Sequence, residues 1–97
     1  MKVKEIEEFG FEKVGKEIRI GKHTITVNGI ATISIKPDGK PSQFYHLPKY
    51  GIVREIDKKL NIIDCVTLNS LVERLKEDSA AINYVICDSK LFIKRKK

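Results

Sequence analysis

The sequence has no tryptophan, only three prolines and two cysteines, and no apolar run near the ~20 residues of a membrane-spanning helix. Each scarcity excludes something. Without tryptophan, core stabilisation has to come from aliphatic and β-branched side chains packed between layers. Cys65 and Cys87 sit inside apolar runs, IIDCV and YVICDS, at no metal-ligand spacing. They read as buried reduced thiols rather than a disulfide framework or a zinc site. A basic segment followed by an apolar stretch, the mark of a secretory leader, is also missing, so a soluble cytoplasmic protein with no membrane partner is expected.

Chemistry is thinly provided for. The two histidines, His23 and His46, form no His-x-His pair and adjoin no acidic cluster that could hold a divalent cation. Tyr45 beside His46 suggests a nucleophile and its base, but neighbours on a strand point to opposite faces. Glycine-rich phosphate loops of the GxxxxGK or GxGxxG type are missing. Neither an enzyme nor a cofactor or metal requirement is expected.

What the chain has in abundance is Lys, Glu and Ile, and a formal net charge of +6 that is unevenly placed. Residues 1–16 and 50–78 are close to neutral. Residues 17–49 carry Arg19, Lys22, Lys36, Lys40 and Lys49 against Glu17 and Asp38, and residues 79–97 carry Lys90, Lys94, Arg95, Lys96 and Lys97 against Asp88 alone. Clustered positive charge favours polyanions through counterion release and steering. The structural alternative is a solvated lysine-rich surface.

A single domain is expected over 1–97: an N-terminal helix (1–14), a β-rich segment (17–49), a helical segment (50–78), and a C-terminal hairpin with a basic tail (82–97). From Glu17 the apolar period is two, through EIRIG, HTITV and IATISI. Asn28-Gly29 predicts a two-residue type I′ hairpin that sets Val27 opposite Ile30 and Ile25 opposite Thr32. KPDGKP is turn chemistry, and SQFYHL reads as a strand stopped by Pro48. In GIVREIDKKLN, Ile52, Val53, Ile56 and Leu60 fall at helical spacing. TLNSLVERLKED predicts a second helix with Thr67 as N-cap and Leu68, Leu71, Val72 and Leu75 as its apolar stripe. The chain closes on a hairpin with Ile86 opposite Leu91 and Tyr84 opposite Ile93. The fold class is therefore α+β, antiparallel β-hairpins packed against two or three short helices.

The segment ISIKPDGKPSQFYHLPKYGIVREIDKKLNI resembles the swapped-hairpin domains typified by the bacterial transition-state regulator AbrB. The resemblance rests on Asp38-Gly39-Lys40 at the turn, Leu47-Pro48-Lys49 at the strand end, Ile52 to Ile62 as a short helix, and KLFIKRKK as the closing strand. It covers about half the chain, which departs from the family by a second helix and by Asn61 where glycine is usual. It implies an intertwined homodimer that presents Lys36, Lys40, Lys49 and Arg54 to DNA. IVREIDKKLNIIDCVTLNSLVERL followed by a hairpin also resembles the helix-turn-helix and wing of winged-helix regulators. The expectation is a small basic double-stranded-DNA-binding protein, a transcriptional regulator or antitoxin-like factor. Its phosphate contacts are expected from Lys36, Lys40, Lys49, Arg54, Lys58, Lys94 and Arg95. The alternative is a non-enzymatic protein-interaction module that docks on a larger partner.

Overall fold

A computed structural model of the protein describes residues 2–94. Arg95 and the two lysines after it, the end of the expected basic tail, lie outside the described residues. In chain order the elements are α1 (Lys2–Glu7), β1 (Phe11–Lys13), β2 (Glu17–Ile20), β3 (His23–Val27), β4 (Thr32–Pro37), β5 (Gln43–His46), β6 (Tyr50–Ile56), β7 (Lys59–Asp64), α2 (Leu68–Asp78), β8 (Tyr84–Cys87) and β9 (Lys90–Lys94). The strands build two sheets, one in the order β1-β9-β8-β6-β7 and one in the order β2-β3-β4-β5. Every pairing is antiparallel.

The side chains of a strand leave it on alternate faces, and that rule stacks the layers. On β8, Val85 and Cys87 join Ile6, Leu71 and Leu75 of the helices, while Ile86 joins Ile18, Ile25 and Ile33 of the four-stranded sheet. β9 repeats the division, with Phe92 on the helix side and Leu91 on the sheet side. The five-stranded sheet is thus the middle of three layers, covered by α1 and α2 on one face and by the second sheet on the other. Each fully buried aliphatic or phenyl side chain contributes about 1.5–3 kcal/mol. Two cores on either side of one sheet let a short chain without tryptophan assemble enough of them.

Local signals formed as expected in several places. Thr67 is extended and caps α2, its hydroxyl accepting from Ser70 N at 3.1 Å, and Leu71 and Leu75 are buried beneath the helix. The C-terminal hairpin pairs Ile86 with Leu91 and Tyr84 with Ile93. Its turn residues Asp88 and Ser89 both have positive φ, the type I′ geometry.

Three expectations are corrected. The helical segment expected over 50–78 is helical only in α2. Residues 50–64 form the β6–β7 hairpin, turned at Asp57 and Lys58 with φ of 51° and 63°. Ile52 and Val53 lie on opposite faces of a strand buried on both, and a two-sided strand shows no clean alternation. The stretch that carries both family resemblances, Ile52 to Ile62, therefore contains no helix. Gly51 lies inside β6, where a Cβ would sit 2.9 Å from the Ile63 carbonyl oxygen and 3.3 Å from Pro48 Cγ.

The second correction is the register of β3 and β4. Val27 faces Ile33 and Ile25 faces Ile35, with Asn28 to Ala31 forming a longer loop closed by Asn28 N donating to Thr32 O at 2.8 Å. The expected register differs by three residues, an odd number, and would have set apolar Ile25 against Thr32. The observed one puts Ile25, Val27, Ile33 and Ile35 together on the core face and pairs Thr24 with Lys36 and Thr26 with Ser34 outside. Thirdly, α1 ends at Glu7 rather than near residue 14, and β1 follows with Phe11 fully buried. Two helices occur among the described residues, and neither is long and apolar enough to cross a membrane.

Candidate functional site

Three tight turns meet at one end of the molecule: Gly21-Lys22 between β2 and β3, Asp38-Gly39-Lys40 between β4 and β5, and Asp57-Lys58 between β6 and β7. A two-residue hairpin loop projects its side chains beyond the sheet, so lysines at such tips gather wherever the tips gather. Between these turns the two sheets splay apart around an open cleft of about 900 Å³. Lys22, Lys40, Lys58 and Lys59 line it, against Asp38, Glu55 and Asp57. Its inner wall is the end of the core face of the four-stranded sheet. There Gln43 pairs with Ile35 and Tyr45 with Ile33, so both side chains share that face.

The charges are partly spoken for. Arg19 holds Asp38 in a two-pronged contact, Nη1 to Oδ1 at 3.1 Å and Nη2 to Oδ2 at 2.5 Å. This hydrogen bond, with the nearby positive charges of Lys36 and Lys22, holds the Asp38 carboxyl below the usual carboxylate range. Arg19 and Asp38 thus neutralise each other, leaving Lys22, Lys40, Lys58 and Lys59 around the mouth against Glu55 and Asp57. The opening carries a local positive excess.

At the floor lies His23, 8% exposed, the buried polar residue among the described core positions. Its Nδ1 stands 3.6 Å from Glu55 Oε2 and has no hydrogen-bond partner. Glu55 reaches across from β6 to the β2–β3 turn, where a Cβ on Gly21 would overlap its carboxylate. Gly21 has φ +56° and Lys22 does not share the positive value, as a type II′ turn requires. Glycine here serves both the turn and the close approach of Glu55. Tyr45 Oη donates to Gln43 Oε1 at 2.5 Å, fixing the orientation of the amide.

Of the residues expected to contact nucleic acid, Lys40 and Lys58 come together at this cleft and the rest do not. Lys36, opposite Thr24, leaves β4 on the outer face of the four-stranded sheet, away from the cleft wall. Arg54 is half-buried and donates from Nη2 to Asp78 Oδ2, 3.3 Å away at the end of α2. Lys94 donates to the Ser79 carbonyl oxygen just after that helix and stands 5.7 Å from the Phe11 ring centroid. Both bases thus serve the C-terminal end of α2, where positive charge is favourable. Lys49 stands 5.6 Å from the Tyr50 ring centroid, and its carbonyl oxygen accepts from Ser89 N in the β8–β9 turn. Arg95 lies outside the described residues. Sequence reasoning missed Lys22, Lys59, His23, Gln43 and Tyr45. The signal for Lys22 was present in the Gly21-Lys22 turn, and that for Lys59 depended on recognising the β6–β7 hairpin. His46 projects to the opposite side of its sheet from Tyr45, alongside Thr32. Among the described residues no group of three or more His, Cys, Asp or Glu could hold a metal ion, and neither cysteine forms a disulfide.

The fold defines an α+β protein of three layers, two short helices on one face of a five-stranded antiparallel sheet and a four-stranded sheet on the other. Comparison with protein-family models, with curated proteins and with solved structures finds no match for this chain.

Proposed function

We propose that this protein is a small basic DNA-binding protein that grips the phosphate backbone through the lysine-rimmed cleft. The observation that carries this reading is the convergence of Lys22, Lys40, Lys58 and Lys59 around one opening, from three turns distant in sequence. Backbone binding needs only point charges at suitable positions, and lysines on short turns supply them without specific base contacts. The grip is thus assigned to Lys40 and Lys58 of the expected set, with Lys22 and Lys59 added. Lys36, Lys49, Arg54 and Lys94 are left out of it.

Fluorescence anisotropy with a labelled duplex tests the assignment. If all four lysines displace one counterion each, the slope of log affinity against log salt is about −3.6, and raising salt from ~50 to ~200 mM weakens binding about 150-fold. Combining Lys40→Ala with Lys58→Ala lowers the steepness by about two, whereas Lys49→Ala and Lys94→Ala leave it unchanged. No binding at low salt, or equal losses from both pairs, would refute the reading.

A second reading, a protein-interaction module that includes pairing with another copy, is favoured by β5. This edge strand holds no Lys, Arg, Asp or Glu, all four of its residues are exposed, and Phe44 is 70% exposed. Edge strands usually carry charges or proline that block strand addition. Under this reading Phe44→Lys reduces the oligomeric mass measured by sedimentation. An unchanged mass would remove self-pairing through this edge.

A further inference from the structure

The cleft has more than a rim. Phosphate contacts need lysines and nothing else, yet here the lysines surround an apolar and aromatic inner wall. Ile35 and Tyr45 stand on one side and Leu60 on the other, where the core face of the four-stranded sheet runs out from under the middle sheet. Such a wall in water is costly to leave bare, and it offers a π-face for a flat ligand group.

The polar groups on and beneath this wall are few and oriented. Because Tyr45 Oη donates to Gln43 Oε1, the amide is turned so that its N–H donors are the atoms left for a ligand. Below them lies His23, its buried Nδ1 turned to Glu55 Oε2 at 3.6 Å.

A π-face, a directional hydrogen-bonding amide and a ring of ammonium groups around one concavity match the parts of a nucleotide: base plane, base edge and phosphate. A fatty carboxylate would use the apolar wall but has one charge for several lysines and nothing for Gln43. Inorganic phosphate would leave the wall unused. We propose that the cleft takes one unpaired nucleotide of the strand whose backbone the lysines hold, its base lying against Tyr45 and hydrogen-bonded by Gln43. This proposal rests on the nucleic-acid reading above and deepens it. The protein then prefers single-stranded ends and gaps to continuous duplex.

Competition binding with the full chain tests it. The probes are a short single-stranded oligonucleotide, the same strand with abasic sites, a blunt duplex of equal length and inorganic polyphosphate. The variants are Tyr45→Ala, Gln43→Ala and the Lys40→Ala, Lys58→Ala pair, each checked for unchanged circular dichroism. Tyr45 is already partly exposed, so its truncation leaves the core in place. Removing the stacking partner of one base is expected to weaken binding of the intact strand about tenfold. Tyr45→Ala should leave polyphosphate binding and binding of the abasic strand as they are, and Gln43→Ala should act in the same pattern with a smaller loss. If Tyr45→Ala weakens intact and abasic strands equally, or neither, while the lysine pair weakens both, nucleotide capture is wrong and backbone binding stands. If none of the four probes binds, both readings fall together.

Discussion

Leu91 and Phe92 are adjacent on β9, each 1% exposed, and the fold puts them in different cores. Phe92 packs with Leu71, Leu75 and Val85 beneath the helices, and Leu91 with Ile18, Ile25 and Val53 between the sheets. Truncating either to alanine removes buried carbon and leaves a cavity. The expected loss is about 3–5 kcal/mol for Phe92→Ala and about 2–5 kcal/mol for Leu91→Ala. A chain of this length has a total stability of about 5–15 kcal/mol, so either substitution takes a large share. Each kcal/mol moves the midpoint of a domain of this size by about 4–8 °C, so a loss of 3 kcal/mol lowers it by roughly 12–24 °C. Urea unfolding followed by circular dichroism reads both values, and a thermal scan gives the midpoint shift. In a two-layer protein only one of two neighbouring strand residues would be costly, because the other would face water. A loss below ~1 kcal/mol at either position, well under the range for a buried side chain, would refute the placement of the five-stranded sheet as a middle layer.

Two further outcomes follow from single side chains. Thr67→Ala removes the hydroxyl that accepts from Ser70 N and is expected to cost ~1 kcal/mol, whereas Thr67→Asn, which restores an acceptor, recovers most of it in the same urea measurement. Burial pushes the Cys65 thiol above its ordinary range. A thiol with a raised folded pKa stabilises fully below its unfolded pKa and loses that contribution as pH rises through the folded value, so stability should fall in the alkaline range. Replacing Cys65 with alanine should flatten that alkaline fall, and a thiol-reactive dye at neutral pH should label the cysteines only after urea is added, since both are buried in the native fold.

How far the sequence carried depends on whether a segment's instructions are local. α2 was legible because its cap, its apolar stripe and its length all lie within one stretch, and the β8–β9 hairpin because its two strands are contiguous and joined by two residues. The β6–β7 hairpin was not legible. Its turn is Asp57-Lys58, without the glycine that marks positive φ, and its first strand is buried on both faces, so its apolar residues lose the period of two. The β3–β4 register was misread for a related reason. Asn28-Gly29 is a strong local turn signal, but the pairing that gathers Ile25, Val27, Ile33 and Ile35 on the core face requires a longer loop, and burial of that face outweighs one turn preference.

The same division runs through the site. The amino-acid sequence by itself determined the composition of the candidate interface: lysines concentrated near turns, no acidic or histidine cluster, and a positive excess. It could not decide which lysines meet. Lys40 and Lys58 come together with Lys22 and Lys59 because two separate sheets bring three distant turns to one end. Arg54 and Lys94, equally basic on paper, are drawn to the end of α2 by its carboxylate and carbonyl groups. Net charge is a sum over residues and can be read from the chain. A charged surface is an arrangement in space, and only the packing of one sheet on another fixes the distances that make it.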